Sequence, residues 1–352
     1  MLAHQDACTF WAFLFLSEIL AFAPARPSDW AIAFFMIKII GSRFFDKLVN
    51  YIYILAIISL ILYPIDALFQ GLFNSFAPVL NFMTQDEQYA VNGWYLFIYM
   101  HNAWAFLREF DIYRNSGFMW EPGAYSLMLI FAITYHFSRN NFVIDKKSKV
   151  FIIALITTFS TSGFLALFLI LLAYATKLGK RTHLAYIILI PIIIYGGIMI
   201  YKMDFISGKM NRNYENIDNH YTHFSGIERV NRFAILKYNF EQATAWPLGN
   251  GALESNYLIK KYGVIFRGPN TYAGILYKWG FLGLILFPIF LFRFYKLNNL
   301  SPFRAFFFTI AMSFVLFSNP TTTKPLYMSI VFYYFIFSNS RNKQPYNQLP
   351  RL

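Results

Sequence analysis

Cysteine is nearly absent from this sequence, and charged residues are scarce. The 352 residues include a single cysteine, Cys8, which excludes a disulfide framework, a cluster of zinc-binding cysteines and an iron–sulfur site within one chain. Only 13% of the residues are charged. An ordinary soluble domain has about a quarter. The composition therefore argues against a water-soluble globular protein.

Apolar and aromatic residues take the place of the missing charge. They make up 57% and 21% of the chain, and 42 phenylalanines and 25 tyrosines need surroundings other than water. The basic excess of +13 is spread in short clusters between the apolar runs, as in membrane proteins with positively charged cytoplasmic loops. A long basic stripe with interleaved aromatics is missing, so nucleic acid is not expected as a partner.

The apolar runs predict an all-α, polytopic integral membrane protein with about ten transmembrane helices and one large outer loop. The runs cover approximately residues 7–23, 29–41, 48–69, 121–138, 144–160, 163–178, 183–201, 272–295, 302–318 and 323–338. The fifth and sixth runs, on either side of Ser160, could also form one long helix. A hairpin is favoured, because it brings the basic clusters at Lys146 and Lys180 to the same side of the membrane.

The same rule assigns a side to the rest of the chain. Both termini are expected in the cytoplasm. The acidic residues expected on the outer face are Asp86, Glu87, Glu109, Asp111, Glu121, Asp204, Glu215, Asp218, Glu228, Glu241 and Glu254. The expected organisation is an N-terminal transmembrane bundle over 1–201, an outer loop over 202–271, C-terminal transmembrane helices over 272–338 and a cytoplasmic tail over 339–352. Within the first bundle, a span over 91–107 would put Arg108 to Trp120 on the wrong side of the membrane for the helix that follows. This segment is therefore interpreted as interfacial or re-entrant.

The segment from Arg114 to Gly123 is the densest functional candidate, with an arginine and Glu121 at one outer mouth. An alternative is that Glu121 caps the following helix and Pro122 occupies its first turn. Both roles are compatible.

Arg229 and Arg232 are spaced so that, on a helix predicted for about 226–243, their guanidinium groups converge on one anion such as a diphosphate. A solvated helix face is the alternative. His220 and His223 lack further ligands at metal-binding spacing, so no metal or cofactor is expected.

Three charged residues inside predicted spans, Glu18, Asp66 and Lys278, are functional candidates. For Asp66 and Lys278, mutual pairing or snorkelling is the alternative. Tyr272, beside Asn270, could stack on a sugar or belong to an interfacial aromatic belt.

Taken together, these segments resemble the O-antigen polymerase (Wzy-type) family of bacterial envelope glycosyltransferases over about residues 108 to 330. The most specific piece is Arg114 to Gly123, where the family shows an arginine, a small residue with glycine, an aromatic and then Glu-Pro-Gly before a span. Three weaker pieces follow in family order: Ser160-Thr161-Ser162-Gly163 at a hairpin tip, Gly226-Ile227-Glu228-Arg229 leading to Pro247-Leu248-Gly249-Asn250-Gly251, and Pro269-Asn270-Thr271-Tyr272 before a span that carries Gly280.

The resemblance implies a GT-C-like, metal-independent enzyme in the bacterial inner membrane with its active site facing the periplasm. It would transfer a growing glycan from undecaprenyl diphosphate to a new lipid-linked repeat unit. Its partners are then the lipid-linked donor and acceptor oligosaccharides, membrane lipid and, as a further candidate, a chain-length regulator. We predict Glu121, Arg229 and Arg232 as catalytic residues. The predicted substrate-binding residues are Arg114, Ser162, Arg267, Asn270 and Tyr272.

Two other functions stay open at this point. O-antigen ligases share the scaffold, but a histidine usual before the late asparagine and an arginine usual after the hairpin serine are replaced here by Pro269 and Gly163. This favours a polymerase and means that no histidine base can be carried over to this sequence. Glu121 is the candidate base, with orientation of an arginine as its other role. A lipid-linked oligosaccharide flippase is disfavoured, because the chain lacks paired hydropathy halves and concentrates its polarity in one outer loop.

Overall fold

The structure is a computed structural model that describes residues 27–69, 93–96, 98–102, 106–107, 112–177, 232–249, 271–319 and 325–341. Within these ranges the chain is mostly helical. In chain order the helices are α1 Pro27–Ile40, α2 Phe44–Leu68, α3 Pro122–Arg139, α4 Lys146–Thr157, α5 Thr161–Ala175, α6 Arg232–Ala245, α7 Thr271–Leu297, α8 Pro302–Phe317 and α9 Pro325–Arg341. A 3₁₀ turn, Gly41–Arg43, joins α1 to α2.

Every predicted apolar run that lies among the described residues coincides with one of these helices. The runs at 7–23 and 183–201 lie outside them, as does most of the predicted outer loop. Two of the described helices, Ala31–Leu68 (α1 and α2 taken together) and Thr271–Leu297, are long and apolar enough to cross a membrane by length and composition.

The chain divides into two compact units, one formed by Met1–Phe45 with Thr321–Leu352 and the other by Asp46–Pro320. In the first unit, α1 packs against α9. The rings of Phe34 and Phe332 meet edge to face with centroids 5.7 Å apart, and the Tyr333 hydroxyl donates to the Ser42 carbonyl at 3.3 Å.

The centre of the second unit is α3, which is buried along nearly its whole length from Ala124 to Ser138. It packs against α4, α5 and α8. Phe131 and Tyr135 on α3 stack on Phe294 of α7, with ring centroids 6.4 Å and 6.1 Å away. Because α3 is buried on all of its faces, it forms the core of this unit.

The chain reverses direction between α4 and α5, which confirms the hairpin interpretation. Phe159 adopts a positive φ of 44°, and the Ser160 hydroxyl caps α5 by accepting from the Gly163 N–H at 3.3 Å. The end of α4 and the start of α5 both lie beside the N-terminal end of α3, where Thr157 bonds Asn115 and Ser160 bonds Ser126. The start of α4 and the end of α5 meet at the other end of α3, where His136 Nε2 lies 3.0 Å from Asp145 Oδ1 and the Phe137 ring lies 6.5 Å from the Tyr174 ring. A single long helix would carry the start of α4 and the end of α5 far apart.

The helix α7 is kinked at Gly280, where φ is +58° and ψ is −153°. The turn after α6 fits against this kink: the Phe281 N–H donates to the Pro247 carbonyl at 2.9 Å. A Cβ at Gly280 would overlap that carbonyl, and one at Gly249 would overlap the backbone of Lys278 and Gly280. Pro247 and Gly280, which belong to separate pieces of the family resemblance, are therefore in direct contact.

The segment predicted to be interfacial or re-entrant contains short strands, a departure from the all-α expectation. The strands β1 Gly93–Leu96 and β2 Tyr99–Asn102 pair antiparallel, with Trp94 opposite His101, and β3 Phe106–Leu107 pairs with β4 Ile112–Tyr113. Aromatic and β-branched residues favour strands, and a hairpin satisfies its backbone groups without a long helix.

Candidate functional site

One end of the second unit gathers polar groups from five helices. The helices α3, α5 and α7 begin there, and α4 and α8 end there. We call this group the polar cluster; it consists of Arg114–Gly117, Glu121–Gly123, Ser126, Thr157–Gly163, Thr271 and Asn319.

Arg114 is held against the end of α4. Its Nε donates to the Thr158 carbonyl at 2.9 Å, and the next residue, Asn115, donates from its backbone to the Thr157 carbonyl at 3.0 Å. Gly117 has a positive φ of 54°, and a Cβ there would lie 2.6 Å from the Tyr125 ring. The loop is thus fixed on both sides, and Arg114 has a defined position.

The Arg114 guanidinium is partly buried and lies within the electrostatic influence of Glu121. Burial lowers the pKa of Arg114 to about 10, while the Glu121 carboxylate opposes that drop. Because a pKa near 10 is still far above neutrality, Arg114 is a cation at physiological pH. A partly desolvated cation of this kind favours an anionic ligand.

Glu121 occupies the N-cap position of α3, with Pro122 as the first helical residue, but its side chain makes no capping hydrogen bond. The alternative interpretation of this segment expected Pro122 in the first turn, which is confirmed, and a cap by Glu121, which takes the N-cap position without a side-chain bond. Its backbone is extended, with φ −150° and ψ 153°, as is usual at an N-cap position, so the missing side-chain bond is not imposed by the backbone. The carboxylate is therefore left to act on Arg114 or on a ligand.

Three serines connect α3 to α5 next to Glu121. The Ser126 hydroxyl donates to the Gly123 carbonyl at 2.7 Å and to Ser160 Oγ at 3.0 Å, and Ser160 Oγ lies 3.2 Å from Ser162 Oγ. Ser162, predicted to bind substrate, is buried within this chain of hydroxyls. In this structure it supports the start of α5.

Asn319, at the end of α8, was not singled out from the sequence. Its side-chain Nδ2 donates to the Gly123 carbonyl at 3.1 Å, and its backbone carbonyl accepts from the Thr271 hydroxyl at 2.6 Å. A Cβ at Gly123 would lie 3.1 Å from Asn319 Oδ1 and 3.7 Å from Glu121 Oε1. The glycine of the Glu-Pro-Gly motif therefore allows two oxygen acceptors to approach the same spot.

A second group of side chains adjoins the polar cluster and was also missed. His101 Nδ1 lies 2.8 Å from Asp66 Oδ2, and the Tyr99 hydroxyl donates to the same oxygen at 3.0 Å. All three side chains are buried. Burial raises the pKa of Tyr99 far above its usual value, and the Asp66 carboxylate adds to the rise, so this hydroxyl keeps its proton. Asp66 is thus bonded to a histidine, an arrangement that neither pairing with Lys278 nor snorkelling anticipates.

This Asp66–His101–Tyr99 group is joined to the polar cluster by the backbone and by an aromatic contact. The Met100 N–H donates to the Gly117 carbonyl at 2.6 Å, and the His101 ring lies 4.7 Å from the Tyr113 ring, one residue before Arg114. A histidine beside an acid 35 residues away has no sequence signature of its own.

The opposite end of the second unit is basic. Arg139 Nε lies 3.7 Å from Asp46 Oδ1, Lys147 donates to the Asn50 side chain at 2.6 Å, and Arg304 donates to the Thr176 hydroxyl at 3.1 Å. The helices therefore run between a basic end and the polar cluster, as the charge pattern predicts.

Four of the five buried side-chain polar atoms that lack a hydrogen-bond partner within the described part of the chain lie in or beside the polar cluster, and the fifth, Asn298 Oδ1, lies at the far end of α7. The four are Asp66 Oδ1, Ser116 Oγ, Asn319 Oδ1 and also Asn239 Oδ1, on a side chain that bonds the Ala273 carbonyl in the first turn of α7. Leaving such atoms unpaired is costly, so a concentration of them is typical of a place that accepts polar ligands.

Several predicted site residues cannot be placed. Arg229, Arg267 and Asn270 lie outside the described residues, and Arg232 is the first residue of α6 with its side chain outside the description. Their convergence stays a prediction. Tyr272 is described: its hydroxyl bonds Ser313 Oγ at 2.5 Å, so it ties α7 to α8.

Among the described residues, no three His, Cys, Asp or Glu side chains are close enough to hold a metal ion. The groups that are present offer one fixed cation, one nearby carboxylate, several hydroxyls and a buried acid–histidine pair. Such a set suits an anionic leaving group together with a hydroxyl nucleophile.

Comparison of the chain with protein-family models, with curated proteins and with solved structures finds no match.

Proposed function

We infer that this protein is a polysaccharide polymerase of the bacterial inner membrane. It transfers a growing glycan from undecaprenyl diphosphate to the sugar of a new lipid-linked repeat unit on the periplasmic face. The observation that carries the proposal is that the partly buried Arg114 cation, bonded to the Thr158 carbonyl, lies within the electrostatic influence of Glu121 at the start of the central helix α3, at the end of the second unit away from its basic residues.

The membrane setting is proposed with about ten spans, both termini in the cytoplasm and the polar cluster on the outer side. The two long apolar helices and the basic residues at the far end of the second unit support this orientation. Arg139, Lys147 and Arg304 would then face the cytoplasm. Lipid-linked oligosaccharides would reach the polar cluster from the outer leaflet.

The chemistry requires stabilisation of a departing diphosphate. The acceptor hydroxyl attacks the anomeric carbon, the new carbon–oxygen bond forms, and the bond to the diphosphate oxygen breaks with its electron pair going to undecaprenyl diphosphate. Arginines meet this need, because a guanidinium group binds phosphate oxygens through two parallel hydrogen bonds. Arg114 supplies such a group from the polar cluster.

Arg229 and Arg232 are proposed to complete the diphosphate site from the outer loop. Arg267, Asn270 and Tyr272 are proposed to contact the sugars near the start of α7. The position of Arg232 at the start of α6, which packs on α7, supports an arrangement in which the outer loop approaches the polar cluster.

Glu121 has two roles open to it in this scheme: it either accepts the proton of the acceptor hydroxyl or orients one of the arginines. Its lack of a capping hydrogen bond and its electrostatic effect on Arg114 support a role in the site over a purely structural one.

The test is deletion of the gene in its own host, with the surface polysaccharide run on a gel beside wild type and a complemented strain. A single repeat unit on lipid A core, restored to long polymer by complementation, is the expected result. Core alone with polymer accumulating on undecaprenyl diphosphate would instead identify a ligase. Core alone with unpolymerised intermediates retained inside would identify a transporter, and an unchanged polysaccharide would contradict all three.

A further inference from the structure

We propose that His101, held by Asp66, accepts the proton of the acceptor hydroxyl in the transfer reaction proposed above, on which this inference rests. The juxtaposition that carries it is a buried acid–histidine pair beside the loop that presents Arg114.

The hydrogen bond to Asp66 decides which nitrogen of His101 is basic. A carboxylate accepts hydrogen bonds, so the ring nitrogen 2.8 Å from Asp66 Oδ2, Nδ1, carries the proton in the neutral imidazole. The other nitrogen, Nε2, then has the lone pair. An acid that holds a histidine in this tautomer and stabilises the imidazolium formed later is the standard arrangement of a catalytic base.

The environment of Asp66 supports a role beyond packing. Only 3% of its surface is exposed, and one of its oxygens bonds both His101 and Tyr99, while Oδ1 has no hydrogen-bond partner among the described residues. Burying a carboxylate is costly unless a cation compensates for it. Proton transfer to His101 supplies that cation, so the pair is more stable after the transfer than an isolated imidazolium would be.

The Asp66–His101 pair is also connected to the loop that carries Arg114. The His101 ring lies at a tilt of 55° to the Tyr113 ring, Tyr63 donates to the Tyr113 carbonyl at 2.8 Å, and the Met100 N–H donates to the Gly117 carbonyl. These contacts connect His101 rigidly to both sides of Arg114. The loop that carries Arg114, the cation proposed to stabilise the leaving group, is therefore bonded to the strand that carries the proposed proton acceptor.

The proton balance of the reaction is complete with this assignment. The acceptor oxygen forms its bond to the anomeric carbon as its proton passes to His101 Nε2, and the diphosphate leaves with the electron pair of the broken bond. His101 later returns the proton to water or to the released diphosphate. Glu121 then serves as the charge partner of Arg114.

The chain contains a matched control at its basic end. His136 Nε2 lies 3.0 Å from Asp145 Oδ1, and the His136 side chain is also buried. This second acid–histidine pair lies beside the start of α4, away from the polar cluster. We expect its loss to leave the reaction unchanged, because the pair lies at the far end of the unit from Arg114.

The experiment measures the initial rate of polymerisation in membranes that contain the full chain, with lipid-linked repeat units as substrate. His101→Gln keeps a side-chain donor for Asp66 but cannot accept the proton, and it is expected to lower the rate about 100-fold or more at unchanged protein level. Asp66→Asn should lower it in the same direction. His136→Gln should keep the wild-type rate. Added imidazole should restore activity to His101→Gly and have no effect on wild type.

Two further outcomes keep the proposal open to refutation. If His101→Gln is not recovered in membranes, the double change Asp66→Leu with His101→Leu removes both buried polar partners and should accumulate without activity. Wild-type rate in either variant would overturn the assignment of the base and leave the polymerase proposal standing. Wild-type membranes that do not polymerise the substrate, together with an unchanged polysaccharide in the deletion strain, would overturn the proposed function and this inference with it.

Discussion

Arg114 combines a fixed position with a fixed charge, and these properties can be separated by a conservative change. Arg114→Lys keeps a cation but loses the planar fork and the Nε bond to the Thr158 carbonyl. A hydrogen bond from a charged group contributes about 1.5–3 kcal/mol. We therefore expect the polymerisation rate to fall about tenfold or more.

A matched control for this change is Arg304→Lys. Arg304 Nε donates to the Thr176 hydroxyl at 3.1 Å at the basic end of the same unit. This variant should polymerise at the wild-type rate in the same membrane assay. Equal rates for Arg114→Lys and wild type would show that a point charge is sufficient, and the bidentate diphosphate contact would be wrong.

Glu121 and Ser160 occupy the same position at the starts of two helices but use it differently. Ser160 caps α5 through its hydroxyl, whereas Glu121 makes no capping bond. Ser160→Ala should therefore lower the free energy of unfolding by about 1 kcal/mol, while Glu121→Gln should leave it nearly unchanged. Thermal unfolding of the purified protein in detergent measures both.

The activity of Glu121→Gln gives the second half of this prediction. Loss of the negative charge beside Arg114 should shorten the polymer or slow its synthesis. Full-length polymer made at the wild-type rate would remove Glu121 from the site. A drop in stability equal to that of Ser160→Ala would instead restore a capping role.

At the scale of the elements, the kink in α7 depends on Gly280. An alanine there would have to hold φ at +58° and would place its Cβ against the Pro247 carbonyl. Backbone strain of about 1–3 kcal/mol and a steric cost of similar size should combine to destabilise the protein by about 3 kcal/mol.

Gly41→Ala is the control for the strain alone. Gly41 has a φ of +75° and no atom within 4 Å of its missing Cβ. It should lose only about 1–2 kcal/mol. Thermal unfolding in detergent compares the two, and equal losses would mean that the contact between the α6–α7 turn and the kink adds nothing to stability.

At the scale of the whole molecule, the proposed orientation can be tested with single cysteines. Because Cys8 is the only native cysteine, Cys8→Ser provides a background without thiols. Thr244 at the end of α6 and Asn141 after α3 are both exposed. In intact cells whose outer membrane is permeable to the reagent, a thiol reagent that cannot cross the inner membrane should label Thr244→Cys and should label Asn141→Cys only after lysis.

The reverse labelling pattern would place the polar cluster in the cytoplasm, where lipid-linked repeat units are assembled and not polymerised. Labelling of both positions in intact cells would contradict the predicted spans between them. Either result would overturn the periplasmic site without affecting the helix assignments.

The sequence by itself determined where the described helices lie. Long apolar runs predict helices because the backbone bonds of a helix are local, between residues four apart, and do not depend on what surrounds them. Pro122 at the start of α3 and the chain reversal before Ser160 were predictable for the same reason, since turn and cap preferences are also local. The short strands before Arg114 were not, because strand pairing depends on partners elsewhere in the chain.

Only the tertiary structure decided which polar residues meet. Asn319 bonds Gly123 across 196 residues, and His101 bonds Asp66 across 35. Neither pair has a spacing that a local pattern records, because each depends on how complete helices and loops pack. The sequence therefore determined the helices, the charge at each end and the candidate Arg114–Glu121 segment, whereas the packing of buried groups decided that an acid–histidine pair lies beside it.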